Sequence, residues 1–454
     1  MNKHSYNRED MICALATPMA ESALAVIRCS GPGIIEKCAS LFKPGKSLAE
    51  AAGNTIVYGK ILCPETGRVL DEVLASVFRA PRSYTGQDSV EFSCHGSLPG
   101  LQAILALFQE QGIRQASPGE FTFRAFLNGK MDLTRAEAVQ EIVSAKSSAS
   151  QSLAMNRLSG AIEKEINRIK DDLLGLIAAV SISLDYPEDE VDDKVVIDSE
   201  KLERAGDHIR RLLATYGTGQ MYRDGVRLVL TGQTNAGKSS LFNLILREER
   251  SIVSDVHGTT RDYLESWISL GGIPVRLFDT AGLRDADNPV EKEGIRRAGE
   301  IVDQAHIILY LVDGVRGMTV EDEEFLDKHK EDPFFIPLWN KADLSQKEAP
   351  KGFLPLSAVT AEGFETLEKA VSKRLLEGKL PPEGAVIDSL RQKELLEEAA
   401  DCLVRFREGM EQGMPMDVLS EDLRNALNCL GEITGEVGTE DILDTMFSRF
   451  CVGK

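Results

Sequence analysis

"VRLVLTGQTNAGKSSLFNLIL", residues 226–246, decides how the chain is read. An apolar run rich in β-branched residues ends in a glycine-containing loop, and an amphipathic run follows at once. The loop GQTNAGKSS, residues 232–240, fits G-x-x-x-x-G-K-(S/T) in the strand–loop–helix context that this motif requires. Backbone N–H groups of such a loop turn inward around phosphate, helped by the positive end of the helix dipole. Lys238 then supplies a cation for the β- and γ-phosphates, and the Ser239 hydroxyl a ligand for Mg²⁺.

Outward from this loop, residues 226–378 alternate apolar strands with helices: VRLVLTG, VRLFDTAG, HIILYLVDG and FFIPLWNKAD. Such alternation predicts a mostly parallel sheet with helices on both faces. Further elements come in the order a GTPase needs. Thr259 and Thr260 in HGTTRD (257–262) offer a hydroxyl to Mg²⁺ beside the γ-phosphate. Asp279 ends a strand and can hold Mg²⁺ through water. In NKAD (340–343), Asp343 can accept hydrogen bonds from guanine N1–H and the 2-amino group, a pair that adenine cannot supply. LSAV (356–359) can place the Ala358 N–H on guanine O6.

One part is missing. In DTAGLRDADNPVE (279–291) the position where Ras-type enzymes carry a water-orienting glutamine is Leu283, whose side chain can neither donate nor accept. Two features can substitute. The Asn235 side-chain carbonyl could ligate a monovalent cation, with carbonyls of a 254–259 loop completing its shell, and K⁺ there would neutralise charge developing between the phosphates. An acid beyond the switch could orient water, and Asp285, Asp287, Glu291 and Glu293 are all candidates that the residues alone do not separate.

The flanks differ in kind. In residues 1–125, ALAVIRCSGPG (23–33), EVLASVFRAPRSYTG (72–86) and DSVEFSCHGS (88–97) read as strands, and LQAILALFQEQG (101–112) as a helix ending near Gly112. This is a small α+β domain. Residues 126–218 turn helical: Ile162, Ile166, Ile169, Leu173, Ile177 and Val180 line one face. DYPEDEVDD (185–193) reads as a solvated loop, a second helix runs to about 214, and YGTGQMYRDG (216–225) reads as a turn-rich linker. After LPPEGAVID (380–388) the chain is helical again. The predicted class is therefore an α/β and α multidomain protein. A Ras-like G domain, 219–378, is inserted between helical stretches 126–218 and 379–454 that pack together, because the ends of a domain usually lie close.

Composition bounds the rest. The 454 residues suit two to four domains at roughly 100–200 residues each. The net charge of −20 argues against a nonspecific nucleic-acid coat, so RNA contacts would need a local patch, with Arg82, Arg124, Lys130 and Arg135 as candidates. The longest apolar run, LLGLIAAVSISL (173–184), is too short to span a bilayer, and the first residues lack the apolar core of a signal peptide. Eight cysteines without a C-x-x-C pair read as reduced thiols in a cytoplasmic protein.

The G motifs, together with LGEITGEVGTEDILDTMFSRFCVGK (430–454), PRSYTGQDSVEFSCHG (81–96) and PGEFTFRAFLNGKMDLTRAEAV (118–139), resemble the MnmE (TrmE) family of tRNA-modification GTPases over essentially the whole chain. The family usually has proline where this chain has Thr234, and HGG where it has HGS (95–97); neither position is a named ligand. The resemblance implies a K⁺-activated GTPase whose G domains dimerise during turnover. Its potassium ligands fall on Asn235, Ser254, Val256 and Thr259, its Mg²⁺ ligands on Ser239 and Thr260, and its catalytic glutamate on Glu291. The implied GTP-binding set is Asn235, Ala236, Gly237, Lys238, Ser239, Ser240, Ser254, Asp255, Val256, His257, Gly258, Thr259, Thr260, Asp279, Thr280, Ala281, Gly282, Asn340, Lys341, Asp343, Ser357, Ala358 and Val359.

The resemblance also implies that the N-terminal domain dimerises and holds a one-carbon tetrahydrofolate, in the 5,10-methylene or 5-formyl form, at positions matching Arg28, Glu91, Lys130 and Lys454. Glu91 can pair with pterin N–H groups, and Arg28 or a lysine can meet the folate carboxylate. Cys451 is either a thiol participant near that site or a small apolar residue of a docked tail. The implied partner is the flavoprotein MnmG, which carries the FAD, in a heterotetramer or larger complex. The implied product is an aminomethyl or carboxymethylaminomethyl group at C5 of the wobble uridine of certain tRNAs. The alternative is a regulatory Ras-like GTPase acting in ribosome assembly, but residues 379–454 read as helical and acidic, unlike the RNA-binding module such proteins carry.

Overall fold

The computed structural model describes residues 9–185, 198–248, 265–270, 272–279, 305–376, 384–437, 443, 446–447, 450 and 452–453. The chain divides into two compact units, Met1–Gln140 with Leu427–Lys454, and Glu141–Ala426.

The first unit is built on strands β1 Ile12–Leu15, β2 Ser22–Ser30, β3 Phe42–Lys43, β4 Thr55–Leu62, β5 Val69–Phe78, β6 Ser89–Gly96 and β7 Arg114–Gln115, in the order β3-β4-β5-β6-β2-β1-β7. Neighbours are antiparallel except β1 with β7. Period-two patterning sets which face is covered. In β6, Val90, Phe92 and Cys94 are buried and pack with Leu101, Ile104, Leu107 and Phe108 of the helix Leu98–Glu110, while Glu91 and His95 point the other way. That helix ends before Gly112, which has φ +82°, as its position predicts.

The C-terminal tail belongs to this unit. Phe447 stands edge-on to Phe123 of the helix Glu120–Leu127, with ring centroids 5.2 Å apart. Phe447 is fully buried, which contributes on the order of 2 kcal/mol. Gly119, at φ +72°, lets the Phe447 carbonyl approach to 2.7 Å from where a Cβ would lie.

Arg124 corrects an expectation. It is 1% exposed, and its guanidinium donates to the Asp10 carboxylate and carbonyl, to Glu120 and to Gln87. Glu120 lies one helical turn earlier and is fully buried, so the two charges must neutralise each other inside the fold. Arg124 is thus a structural ion-pair partner and cannot serve an RNA surface. Removing one member of such a buried network costs about 3–5 kcal/mol.

The second unit holds β8 Val226–Gly232, β9 Glu265–Leu270, β10 Ile273–Asp279, β11 Ile307–Asp313, β12 Phe335–Asn340 and β13 Leu354–Pro355, in the order β13-β12-β11-β8-β10-β9. All pairs are parallel except β9 with β10. The central β8 is buried along nearly its whole length, as a strand covered on both faces must be. Helices Ser148–Leu158, Ala161–Asp185 and Ser199–Asp224 precede this sheet, and Leu390–Glu411 follows it. Ser199–Asp224 packs against both Ala161–Asp185 and Leu390–Glu411, so the helical stretches either side of the insertion do come together. In Ala161–Asp185 the predicted stripe is buried, except that Leu176 takes the place of Ile177, so the buried positions Ile162, Ile166, Ile169, Leu173, Leu176 and Val180 keep a strict seven-residue spacing.

A second expectation is overturned. Residues 216–224, read as linker, continue the helix Ser199–Asp224, which ends at Gly225 with φ +75°. Gly219 is there for packing: a Cβ on it would lie 2.1 Å from the Ile387 carbonyl oxygen of the returning chain. Composition alone cannot tell a glycine that breaks a helix from one that lets another backbone approach it. Of the acidic loop, residues 186–193 lie outside the described residues. Among the described residues, no helix is long and apolar enough to cross a membrane.

Candidate functional site

The loop between β8 and the helix Lys238–Glu248 lies at the C-terminal end of a central parallel strand, where open α/β sheets bind ligands. Its backbone requires unusual conformations. Asn235 has φ +65° and Gly237 φ +101°; asparagine is among the few non-glycine residues that tolerate the left-handed region. Gly232 faces the Leu311 carbonyl oxygen, 2.3 Å from where its Cβ would be. Lys238 is nearly buried, and its ammonium curls back over the loop, donating to the Gly232 carbonyl at 3.0 Å and the Gln233 carbonyl at 2.9 Å. Ser239 and Ser240 follow in the first turn of the helix.

Asn340, at the end of β12 and 1% exposed, joins three separate segments. Its Nδ2 donates to the Ala236 carbonyl of the phosphate loop at 2.7 Å, and its Oδ1 accepts the Ala358 N–H at 3.0 Å. A Cβ on Gly237 would lie 2.1 Å from that Nδ2, so the second glycine of the motif clears room for the brace. The Ala358 N–H, which the sequence aims at guanine O6, therefore also serves the protein itself. Ser357 is fully buried and its hydroxyl accepts the Thr360 N–H at 3.1 Å, closing the turn that leaves Val359 exposed. Asp343 is exposed in the loop after β12. Lys341, at φ +63°, pairs with Asp313.

Asp279 ends β10 opposite Leu230 of β8; its side chain is outside the described residues. So are Ser254, Asp255, Val256, His257, Gly258, Thr259, Thr260, Thr280, Ala281, Gly282 and Glu291, with the other switch acids, and Cys451 and Lys454 in the tail. The structure thus brings together the phosphate-loop and base-loop members of the predicted set, and the switch members lie outside what it describes.

The first unit carries the other predicted group. Arg28 on β2 and Glu91 on β6 are direct cross-strand neighbours, and Arg28 Nε donates to Glu91 Oε1 at 2.7 Å. Arg28 Nη1 donates to the Gly453 carbonyl at 3.3 Å, so the tail reaches this pair one residue before Lys454. The guanidinium lies 5.2 Å from the Tyr84 ring and 5.6 Å from the Phe121 ring. Burial holds the Tyr84 hydroxyl above its ordinary pKa, so it stays protonated and shares a 2.8 Å hydrogen bond with Thr122. Lys130 Nζ donates to the Pro81 carbonyl at 2.9 Å, anchoring the 81–86 loop that carries Tyr84. Sequence reasoning missed Tyr84 and Phe121. Their letters stand inside the quoted stretches, but nothing local says that both flank Arg28.

Residues 11–130 match the family described as GTP-binding protein TrmE N-terminus, and residues 133–451 the family described as MnmE helical domain. A tRNA modification GTPase MnmE of Carboxydothermus hydrogenoformans is 42% identical over 460 residues, covering 98% of this chain and 100% of that protein. One of Borrelia recurrentis is 42% identical over 462 residues, covering 99% of each. Among solved structures, the G domain of T. maritima FeoB is 23% identical, covers 33% of this chain and 98% of its own, and has a TM-score of 0.26, too low to bear on the fold.

Proposed function

We propose, for a chain that belongs to the MnmE family of tRNA modification GTPases, a GTP hydrolase whose turnover depends on potassium and serves modification of the wobble uridine. The observation that carries this reading is the Asn340 brace, which joins the phosphate loop to the Ala358 turn and sets both beside the loop of Asp343. A nucleotide seated there would meet Lys238 and the loop N–H groups with its phosphates and Asp343 with its base. Ser239 and Thr260 would hold Mg²⁺, with Asp279 behind a bound water.

The donor set that the resemblance assigns to the ion suits a monovalent cation. A side-chain amide oxygen, with the carbonyl or hydroxyl oxygens of Ser254, Val256 and Thr259, is a neutral oxygen shell, and its left-handed backbone sets Asn235 apart within the loop. When bound, K⁺ supplies positive charge between the phosphates where other GTPases use arginine. GTP hydrolysis in KCl is therefore expected to exceed that in NaCl by about 10- to 100-fold. Asn235→Ala is expected to abolish the difference; equal steady-state rates of the parent protein in the two salts would remove the assignment.

The domain assignment is part of the same reading. Residues 1–125 would form the folate-binding, dimerising domain, and 219–378 the G domain carried by helices of 126–218 and 379–454. The Arg28–Glu91 pair, set beside two aromatic rings and the tail, has the chemistry to hold a pterin edge and a carboxylate, with Lys130 and Lys454 as further cations. A bound one-carbon tetrahydrofolate would supply the carbon, and a flavoprotein partner of the MnmG type, carrying FAD, would complete the complex with a homodimer of this chain. A role in tRNA modification would put the protein in the cytoplasm. Nucleoside analysis of tRNA from cells lacking the gene tests the whole: the C5 modification of wobble uridine is expected to disappear, and an unchanged nucleoside profile would refute the reading.

A further inference from the structure

We propose that Asp313 is a positioning residue of the base site: by holding Lys341, it sets the loop that reads guanine. This rests on the reading of Asp343 given above, and Asp313 belongs to none of the G motifs. It ends β11 directly opposite Asn340 at the end of β12. Its two carboxylate oxygens have separate tasks. Oδ1 accepts the N–H groups of Val315 at 2.9 Å and Arg316 at 3.2 Å, closing the turn after β11. Oδ2 reaches the neighbouring loop and accepts Lys341 Nζ at 2.6 Å. Burial works to raise the Asp313 carboxyl, and the contacts with Lys341, Arg316 and Val315 outweigh it, leaving the group below its ordinary value and ionised.

Lys341 sits at φ +63°, a conformation that a lysine keeps only where its surroundings hold it. Its carbonyl accepts the N–H groups of Leu344 and Ser345, so the turn that carries Asp343 hangs from this one strained residue. The Ser345 hydroxyl donates to the Gly314 carbonyl at 2.8 Å, and the Gly314 N–H to the Asn340 carbonyl at 2.8 Å. The two loops are therefore one hydrogen-bonded piece, and the ion pair is its charged tie. Without that tie Lys341 can relax, and Asp343 loses its fixed bearing on the base. The chemical step at the phosphates does not involve it.

Asp313→Asn tests this, because the new amide keeps a carbonyl oxygen for the Val315 and Arg316 N–H groups and turns toward Lys341 an uncharged N–H₂ group that cannot accept its hydrogen bond. Release of a fluorescent GDP analogue is expected to quicken by about 3- to 10-fold, KM for GTP to rise by a similar factor, and kcat at saturation to stay unchanged. Lys341→Met, which leaves the β11 turn untouched but also removes a member of the GTP-binding set, is expected to quicken GDP release at least as much, and the double variant to be no worse than Lys341→Met alone. Binding of inorganic tripolyphosphate, which has no base, is expected to be unaffected. Unaltered GDP release, a fall in kcat, or equal weakening of tripolyphosphate would each overturn the proposal. If Asp343→Asn leaves base preference intact, the reading of the base site fails as a whole; normal GDP release in Asp313→Asn alone defeats only the role of Asp313.

Discussion

Glu291→Ala is expected to keep its GTP affinity while kcat falls by about 10²- to 10⁴-fold, the range that a positioned acid or base contributes. The switch offers little else. The Leu283 side chain has no hydrogen-bonding atom to present to water, so side-chain orientation of the nucleophile must come from a more distant group. On the proposed reading binding is held by other residues: Lys238, the loop N–H groups and Asp343 would meet the nucleotide before any water is activated. Loss confined to kcat is the signature of an interaction made only in the transition state. Single-turnover hydrolysis in KCl, beside an affinity measured with a fluorescent analogue, separates the two quantities. Glu291→Gln is expected to recover part of the rate, since an amide oxygen can still accept from water. Full activity in Glu291→Ala would transfer the role to Asp285, Asp287 or Glu293.

Asp343→Asn is expected to exchange one base for another. The carboxylate can accept from both guanine N1–H and the 2-amino group, and each bond to a charged acceptor contributes about 1.5–3 kcal/mol. An amide keeps an acceptor for N1–H but turns an N–H₂ donor toward the 2-amino group, so that second bond is lost and GTP weakens by roughly 10- to 10²-fold. An amide can accept from N1–H and donate at the other position, which matches xanthine, where a carbonyl oxygen replaces the amino group. Hydrolysis of XTP by the variant is therefore expected to overtake that of GTP. Competition binding of the two nucleotides checks it, and a variant that still prefers GTP would show that guanine is read elsewhere.

Parts of the site were legible because their chemistry is local. The phosphate loop needs glycine and asparagine at set places between one strand and one helix, and Gly232, Asn235 and Gly237 do adopt the backbone angles that such a loop demands. The apolar runs of β8, β10, β11 and β12 announce a doubly covered sheet by themselves. The short antiparallel strand β9 went unread, since an edge strand has no covered second face to make its letters stand out. Arg124 was misread for a related reason. An arginine in a helix is usually at the surface, and only Glu120 and Asp10 converging on it make burial affordable.

The amino-acid order alone determined the class of fold, the order of the G motifs and the absence of a glutamine after Gly282. These depend on spacing within a few residues, which a linear pattern records. Only the tertiary structure decided that Asn340 spends its amide on the phosphate loop and the Ala358 turn, that Gly219 exists to admit Ile387, and that Arg28 lies between Glu91, two rings and the chain's tail. Each of these joins residues far apart along the chain. Their pairing is set by how strands and helices pack, and local spacing carries no trace of it.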